Sequence, residues 1–186
     1  MTQIELFKEV QDVYEKCKIH FHQIQSLTPN QLNWKPSDAE WSIAECLQHL
    51  FTTNEYYLNL FQTLKVNSLE LVSDEFEFKH RFIGKYILDG VKPNNSRKIK
   101  TSKNFNPSFS SVQEEILVKL TSQTEKIFSS VTNLKNINFM TTSIRSPFLK
   151  IIKYNLGDTF LIVFYHMLRH FGQIDRVQKN TNFPKE

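Results

Sequence analysis

Two of the six histidines, His166 and His170, stand four residues apart in a segment that reads as one helix, DTFLIVFYHMLRHFGQIDRVQK from Asp158 to Lys179. At 100° per residue, His166, His170, Gln173 and Val177 fall in a stripe about 60° wide. Imidazoles at i and i+4 present themselves on one side of adjacent turns, a spacing that suits chelation of a single metal ion. Position 167 is Met, so the Glu that serves as general base in His-Glu-x-x-His is absent. Two histidines hydrogen-bonded at a bundle edge have the same spacing, and spacing by itself favours that simpler reading. A third ligand is the test.

His49 is the candidate third ligand. It lies at the border between the apolar and polar arcs of another helix, seven residues after a Ser42 cap; seven residues before Lys179 is Gly172. If the two helices run antiparallel, a rise of about 1.5 Å per residue puts His49 within about 3 Å of His170 along the axis. Three neutral imidazoles and an open position describe a catalytic rather than a structural metal site. Such an ion lowers the pKa of a water or of a substrate thiol. Zn²⁺ and Ni²⁺ are the first expectations, and Fe²⁺ and Cu²⁺ also take imidazole.

Neighbouring residues have plainer readings. Gln173 is placed to orient a ligand or a water, and equally suits a polar edge. Glu45 is one turn from His49, but its role in a helix cap already accounts for it. Cys46 reads as a packed residue under Trp41. Arg169 and Arg176 read as surface ion-pair or interface residues.

Four helices must position these groups. The first carries Phe7, Val10, Tyr14, Cys17, Phe21 and Ile24 in a 3-4-3-4-3 seam and stops before Thr28-Pro29. The second opens on the capping box Ser42-Ile43-Ala44-Glu45, with Trp41 predicted to staple onto Cys46, and runs to about Lys65. Residues 66–108 read as a polar crossover with one short helix near Asp74–Lys85. The third helix begins at a second box, Ser111-Val112-Gln113-Glu114, and the fourth at Asp158 as N-cap. No strand pattern stands out, although Phe148–Tyr154 is ambiguous. The expectation is one all-α domain over residues 1–186, a four-helix bundle running up-down-down-up, because the long link lets the second and third helices run parallel.

Composition closes off other classes. The chain is 40% hydrophobic with 16 Phe, 6 Tyr and 2 Trp, enough for a sizeable core, and this excludes a disordered linker. Its 4 Gly and absent GxGxxG and GxxxxGK[ST] motifs exclude nucleotide binding through those devices. The longest apolar run, Phe160–Tyr165, is far short of a membrane span. The charged N-terminal stretch reads unlike a signal peptide, and two cysteines form no disulfide framework, so a cytoplasmic location is expected. The net charge is +4, yet five basic residues and no acid lie between Gly90 and Gln113: Lys92, Arg97, Lys98, Lys100 and Lys103. The remaining surface is close to neutral, so a solvated basic loop is a better reading than a nucleic-acid interface.

Two segments together resemble a known family. Asn33-Trp34-Lys35-Pro36 followed by Trp41-Ser42-Ile43-Ala44-Glu45-Cys46-Leu47-Gln48-His49-Leu50 resembles the first signature of the DinB/YfiT-like superfamily. His166-Met167-Leu168-Arg169-His170-Phe171-Gly172-Gln173 resembles the second. The resemblance implies a four-helix bundle with a long crossover, commonly a homodimer, holding a divalent metal on His49, His166 and His170. Relatives include thiol-dependent S-transferases, using bacillithiol for example, and a mycothiol-dependent isomerase. A metal-dependent enzyme acting on a small-molecule substrate is therefore expected, either an S-transferase with a low-molecular-weight thiol or a hydrolase. A non-catalytic dimeric metal-binding or stress-response protein is the alternative.

Overall fold

The computed structural model describes residues 1–64, 70–95, 101–107, 115–146 and 151–185. Among them the chain is mostly helical, with one small two-stranded sheet. The helices are α1 (Gln3–Ile24), α2 (Pro29–Asn33), α3 (Ile43–Thr63), α4 (Phe82–Val91), α5 (Glu115–Asn133) and α6 (Leu156–Gln178), with a 3₁₀ turn at Lys103–Phe105. The strands are β1 (Ser143–Arg145) and β2 (Lys153–Asn155).

The apolar seam of α1 forms as its spacing predicts. Leu6, Val10, Val13, Tyr14, Cys17, Phe21 and Ile24 are buried on one side, while Phe7 is only partly covered. The helix starts at a capping box in which Thr2 and Glu5 exchange bonds, satisfying two otherwise orphaned N–H groups. α3 starts at the predicted Ser42–Glu45 box and ends at Thr63, so its predicted end at Lys65 lies outside the described residues. The predicted box at Ser111–Glu114 also lies outside them.

α6 is the central element. Every residue from Leu156 to Phe164 is buried, against α1, α3, α4 and the strands. The apolar surface of this stretch is therefore covered within the chain. Facing pairs define the packing: Tyr14 on Phe164 and Phe21 on Phe171 between α1 and α6, Phe61 on Phe160 between α3 and α6. Phe128 on α5 packs against Phe164 and stacks on Tyr14 with centroids 4.1 Å apart.

Three expectations need correction. The chain is not all-α: β1 and β2 pair antiparallel, with Ile144 opposite Tyr154. Both of those side chains are buried, and Tyr154 shares a 3.0 Å hydroxyl–hydroxyl hydrogen bond with Tyr57. Strands three residues long are too short to show an alternating pattern.

The crossover helix is α4, later than the predicted Asp74–Lys85. Residues before it are drawn out alongside the chain start, where Gln3 and Ile4 N–H donate to the carbonyls of Phe76 and Asp74, and Phe78 N–H to that of Met1. The N-cap of α6 is Asn155, not Asp158: the Asn155 side chain accepts from Asp158 N–H at 2.8 Å.

Asp158 has another task. Its fully buried carboxylate accepts from His80 Nδ1 and, at 3.0 Å, from Arg81 N–H at the start of α4. The approach is so close that a Cβ on Gly84 would lie 2.1 Å from Asp158 Oδ2. Glycine is required there by space.

Candidate metal centre

The Ser42–Glu45 box fixes the start of α3. Glu45 N–H donates to Ser42 Oγ at 3.1 Å and Ser42 N–H to Glu45 Oε2 at 2.8 Å. Two turns further in, this places buried His49 towards α6, where His166 and His170 occupy adjacent turns. The three residues each offer one ring nitrogen, all within 4.8 Å of one another. Nε2 of His166 is central, 3.3 Å from Nε2 of His49 and 3.1 Å from Nε2 of His170.

The outer nitrogens determine what faces inward. His49 Nδ1 lies 2.7 Å from the carbonyl oxygen of Phe105, which can only accept, so Nδ1 carries the hydrogen and Nε2 a lone pair. His170 Nδ1 lies 3.1 Å from Gln173 Oε1, with the same result. Two lone pairs therefore point at Nε2 of His166, and a single hydrogen there can satisfy only one.

A proton is a poor remedy. Burial pulls His170 down to about 3, reinforced by the neighbouring His49 and opposed by the Gln173 bond. Burial also holds His166 well below its ordinary value, with His170, His49 and Arg169 adding to the effect. His49 is lowered by burial against the pull of Phe105. Neutral imidazoles with convergent lone pairs are the donor set that a divalent cation of borderline softness takes.

Trp41 covers one side of the cluster. Its indole stacks on His170 at 5.9 Å and 19°, and leans over His49 at 5.0 Å. Trp41, expected to staple onto Cys46, forms a wall against two of the imidazoles. Glu45 is fully engaged elsewhere, since Lys35 Nζ lies 3.1 Å from each of its oxygens in addition to the cap. Cys46 is buried, and desolvation pushes its thiol up.

Arg169, expected as a surface ion-pair or interface residue, binds main chain. Its Nη1 donates to the carbonyls of Asn95, Gly90 and Lys92 at 2.7, 3.2 and 3.5 Å, gathering the end of α4 and the turn after it. Carbonyls at a helix C-terminus attract a cation in this way. Arg176 is exposed near Gly172. Of the basic loop, Lys92 and Lys103 are described; Lys92 Nζ sits 5.1 Å above the Tyr165 ring.

Sequence reasoning missed Phe105, because a main-chain carbonyl offers no side-chain signal. It also missed Trp41 as a wall, although an aromatic eight residues before His49 was there to be weighed.

A sequence profile described as the DinB superfamily matches residues 21–174, a span that contains all three histidines. Comparison with curated proteins and with solved structures returns no match. The profile covers most of the chain, and the chain belongs to the DinB superfamily.

Proposed function

We propose that His49, His166 and His170 hold a divalent metal ion, Zn²⁺ or Ni²⁺, and that the protein is a metal-dependent enzyme activating a thiol for S-transfer or a water for hydrolysis. The observation that carries this reading is the pair of opposed lone pairs, set by Phe105 and Gln173, at a buried cluster that resists protonation. A bound cation there supplies Lewis acidity, which lowers the pKa of a nearby thiol or water.

The chain's own residues do the rest. Phe105 and Gln173 hold the tautomers, so both nitrogens are ready as ligands before any ion arrives. Trp41 keeps water from the His49–His170 side. His166 is part-exposed while the other two are buried, and we take its side as the open one. An open side favours an enzyme over a closed structural site. Among the described residues no carboxylate hydrogen-bonds to the three imidazoles. This favours the transferase, because a thiol of suitable pKa ionises and then serves as its own nucleophile.

Related expectations stand on narrower ground. The facing pairs between α1, α3, α5 and α6 support the up-down-down-up order of a four-helix bundle. A homodimer and a low-molecular-weight thiol rest on the family resemblance. Two buried free thiols suit a reducing compartment such as the cytoplasm.

Metal content per chain, measured by elemental analysis on untagged protein purified without added metal or chelator, tests the proposal. Near-stoichiometric metal, lost in a His49→Ala, His170→Ala double variant, is the expected result and justifies screening thiol transfer and hydrolysis. Metal-free protein that takes up neither Zn²⁺ nor Ni²⁺ would remove the enzyme reading.

A further inference from the structure

The outer nitrogens of His170 and His49 differ in reach. Nδ1 of His170 meets Gln173, one turn along its own helix. Nδ1 of His49 meets the carbonyl of Phe105, 56 residues away in the 3₁₀ turn that lies against α3. The second bond therefore joins the histidine cluster to a separate piece of chain.

That piece is lightly held. Of residues 101–107, Thr101, Phe105 and Pro107 are half-buried, the rest are exposed, and none is fully covered. Two main-chain bonds define the turn, Phe105 N–H to the Ser102 carbonyl at 3.0 Å and Asn106 N–H to that of Lys103 at 3.4 Å, and no side chain caps it. A segment with so little burial opens locally at small cost. α4, earlier in the crossover, is held independently of the cluster. Asp158 accepts from Arg81 N–H at its start, and Arg169 donates to the carbonyls of Gly90 and Lys92 at its end.

The single hydrogen of neutral His49 has two places to sit. On Nδ1 it goes to Phe105; on Nε2 it faces Nε2 of His166 at 3.3 Å. In the second tautomer Nδ1 turns a lone pair on the Phe105 carbonyl, and that bond is lost. An ion on Nε2 excludes the second tautomer, because a coordinated nitrogen carries no hydrogen. The hydrogen is then committed to Nδ1 and to Phe105.

We infer that residues 101–107 form a strap coupled to the metal site: a divalent ion on His49 Nε2 fastens the strap to α3, and loss of the ion loosens it. The inference rests on the metal reading above. Such coupling is reciprocal, so the docked strap tightens the hold on the ion by the same factor.

The test follows amide hydrogen exchange by NMR in the full-length protein, metal-free and Zn²⁺-loaded, with zinc content measured for each sample. Phe105 and Asn106 N–H are the reporters, since their bonds belong to the formed turn. Zinc should slow both about tenfold. Asn95 N–H, bonded to the Lys92 carbonyl in the turn after α4, is the control and should hold its rate. Asn106→Pro deletes one of the turn's bonds and drives Phe105 out of helical backbone. By reciprocity it should weaken zinc binding about tenfold, read by chelator competition.

Three results would overturn the inference: zinc leaves both reporters unchanged; Asn95 slows as much as they do; or Asn106→Pro binds zinc as tightly as the parent. Should Asn106→Pro fail to fold, exchange in the parent decides. Protein that takes up no zinc fails the metal reading instead, and the zinc content shows which has failed.

Discussion

Two buried polar clusters sit on the same helix, and they differ in how completely the protein satisfies them. At the first turn of α6, the Asp158 carboxylate is met by His80, by the Arg81 N–H and by its place at a helix N-terminus. Two turns and more along, His166 and His170 join His49 with lone pairs turned on one another. The first cluster is complete within the chain and reads as structure, pinning the start of α4 to the start of α6. The second has two lone pairs converging on one nitrogen that can carry a single hydrogen. Buried polar groups are ordinarily paired, so the cluster that is not paired is where an outside group belongs.

The sharpest way to break this contrast is to damage the closed cluster. Asp158→Ala leaves His80 and the Arg81 N–H without their acceptor, and should cost about 1–3 kcal/mol for each group left unpaired, read by urea denaturation. Metal stoichiometry in the folded fraction should be unchanged. If the variant instead keeps its stability and loses metal, the division of labour along α6 is wrong.

Filling the open cluster should have the opposite sign. Zn²⁺ at a hundred times its Kd should raise unfolding stability by about 2.7 kcal/mol. The His49→Ala, His170→Ala variant should show no such rise in the same melts. A smaller change concerns the tautomer lock at His170. Gln173→Ala should lower zinc affinity about tenfold to a hundredfold, read by chelator competition, with little effect on the fold.

A graded effect is expected in the pH slope of the metal-free protein. Buried imidazoles whose pKa is lowered bind fewer protons folded than unfolded, so stability falls as pH drops below the ordinary histidine range. For His170 the loss continues towards about 3. Each such group contributes at most about 1.4 kcal/mol per pH unit. Denaturation at pH 7.5, 6 and 5 measures it, and zinc should flatten the curve at its upper end.

Much of this was legible before any coordinates. The α1 seam and the Ser42–Glu45 box are local patterns, and local patterns survive folding. The height argument for His49 rested on one end marked by the Ser42 cap and one inferred end at Lys179. The rest failed for definable reasons. Asn155 and Asp158 are both good N-cap types three residues apart, and only the tertiary demand for a carboxylate under α4 decides between them. His80 is 78 residues from Asp158, with no periodicity to link them. The strands are too short for alternation. The hold of Arg169 on the end of α4 was not foreseen because main-chain carbonyls are displayed by no sequence pattern.

The fate of the two cysteines has a practical side. Cys17 and Cys46 are the chain's only thiols. Both are fully buried and pushed up by desolvation, so neither is a thiolate at neutral pH. In the folded state the protein should be silent to thiol-titrating dyes and alkylating agents. An assay that follows disappearance of free sulfhydryl would then count the small-molecule thiol alone. For the same reason an electrophilic reagent would find no protein sulfur to modify while the chain stays folded.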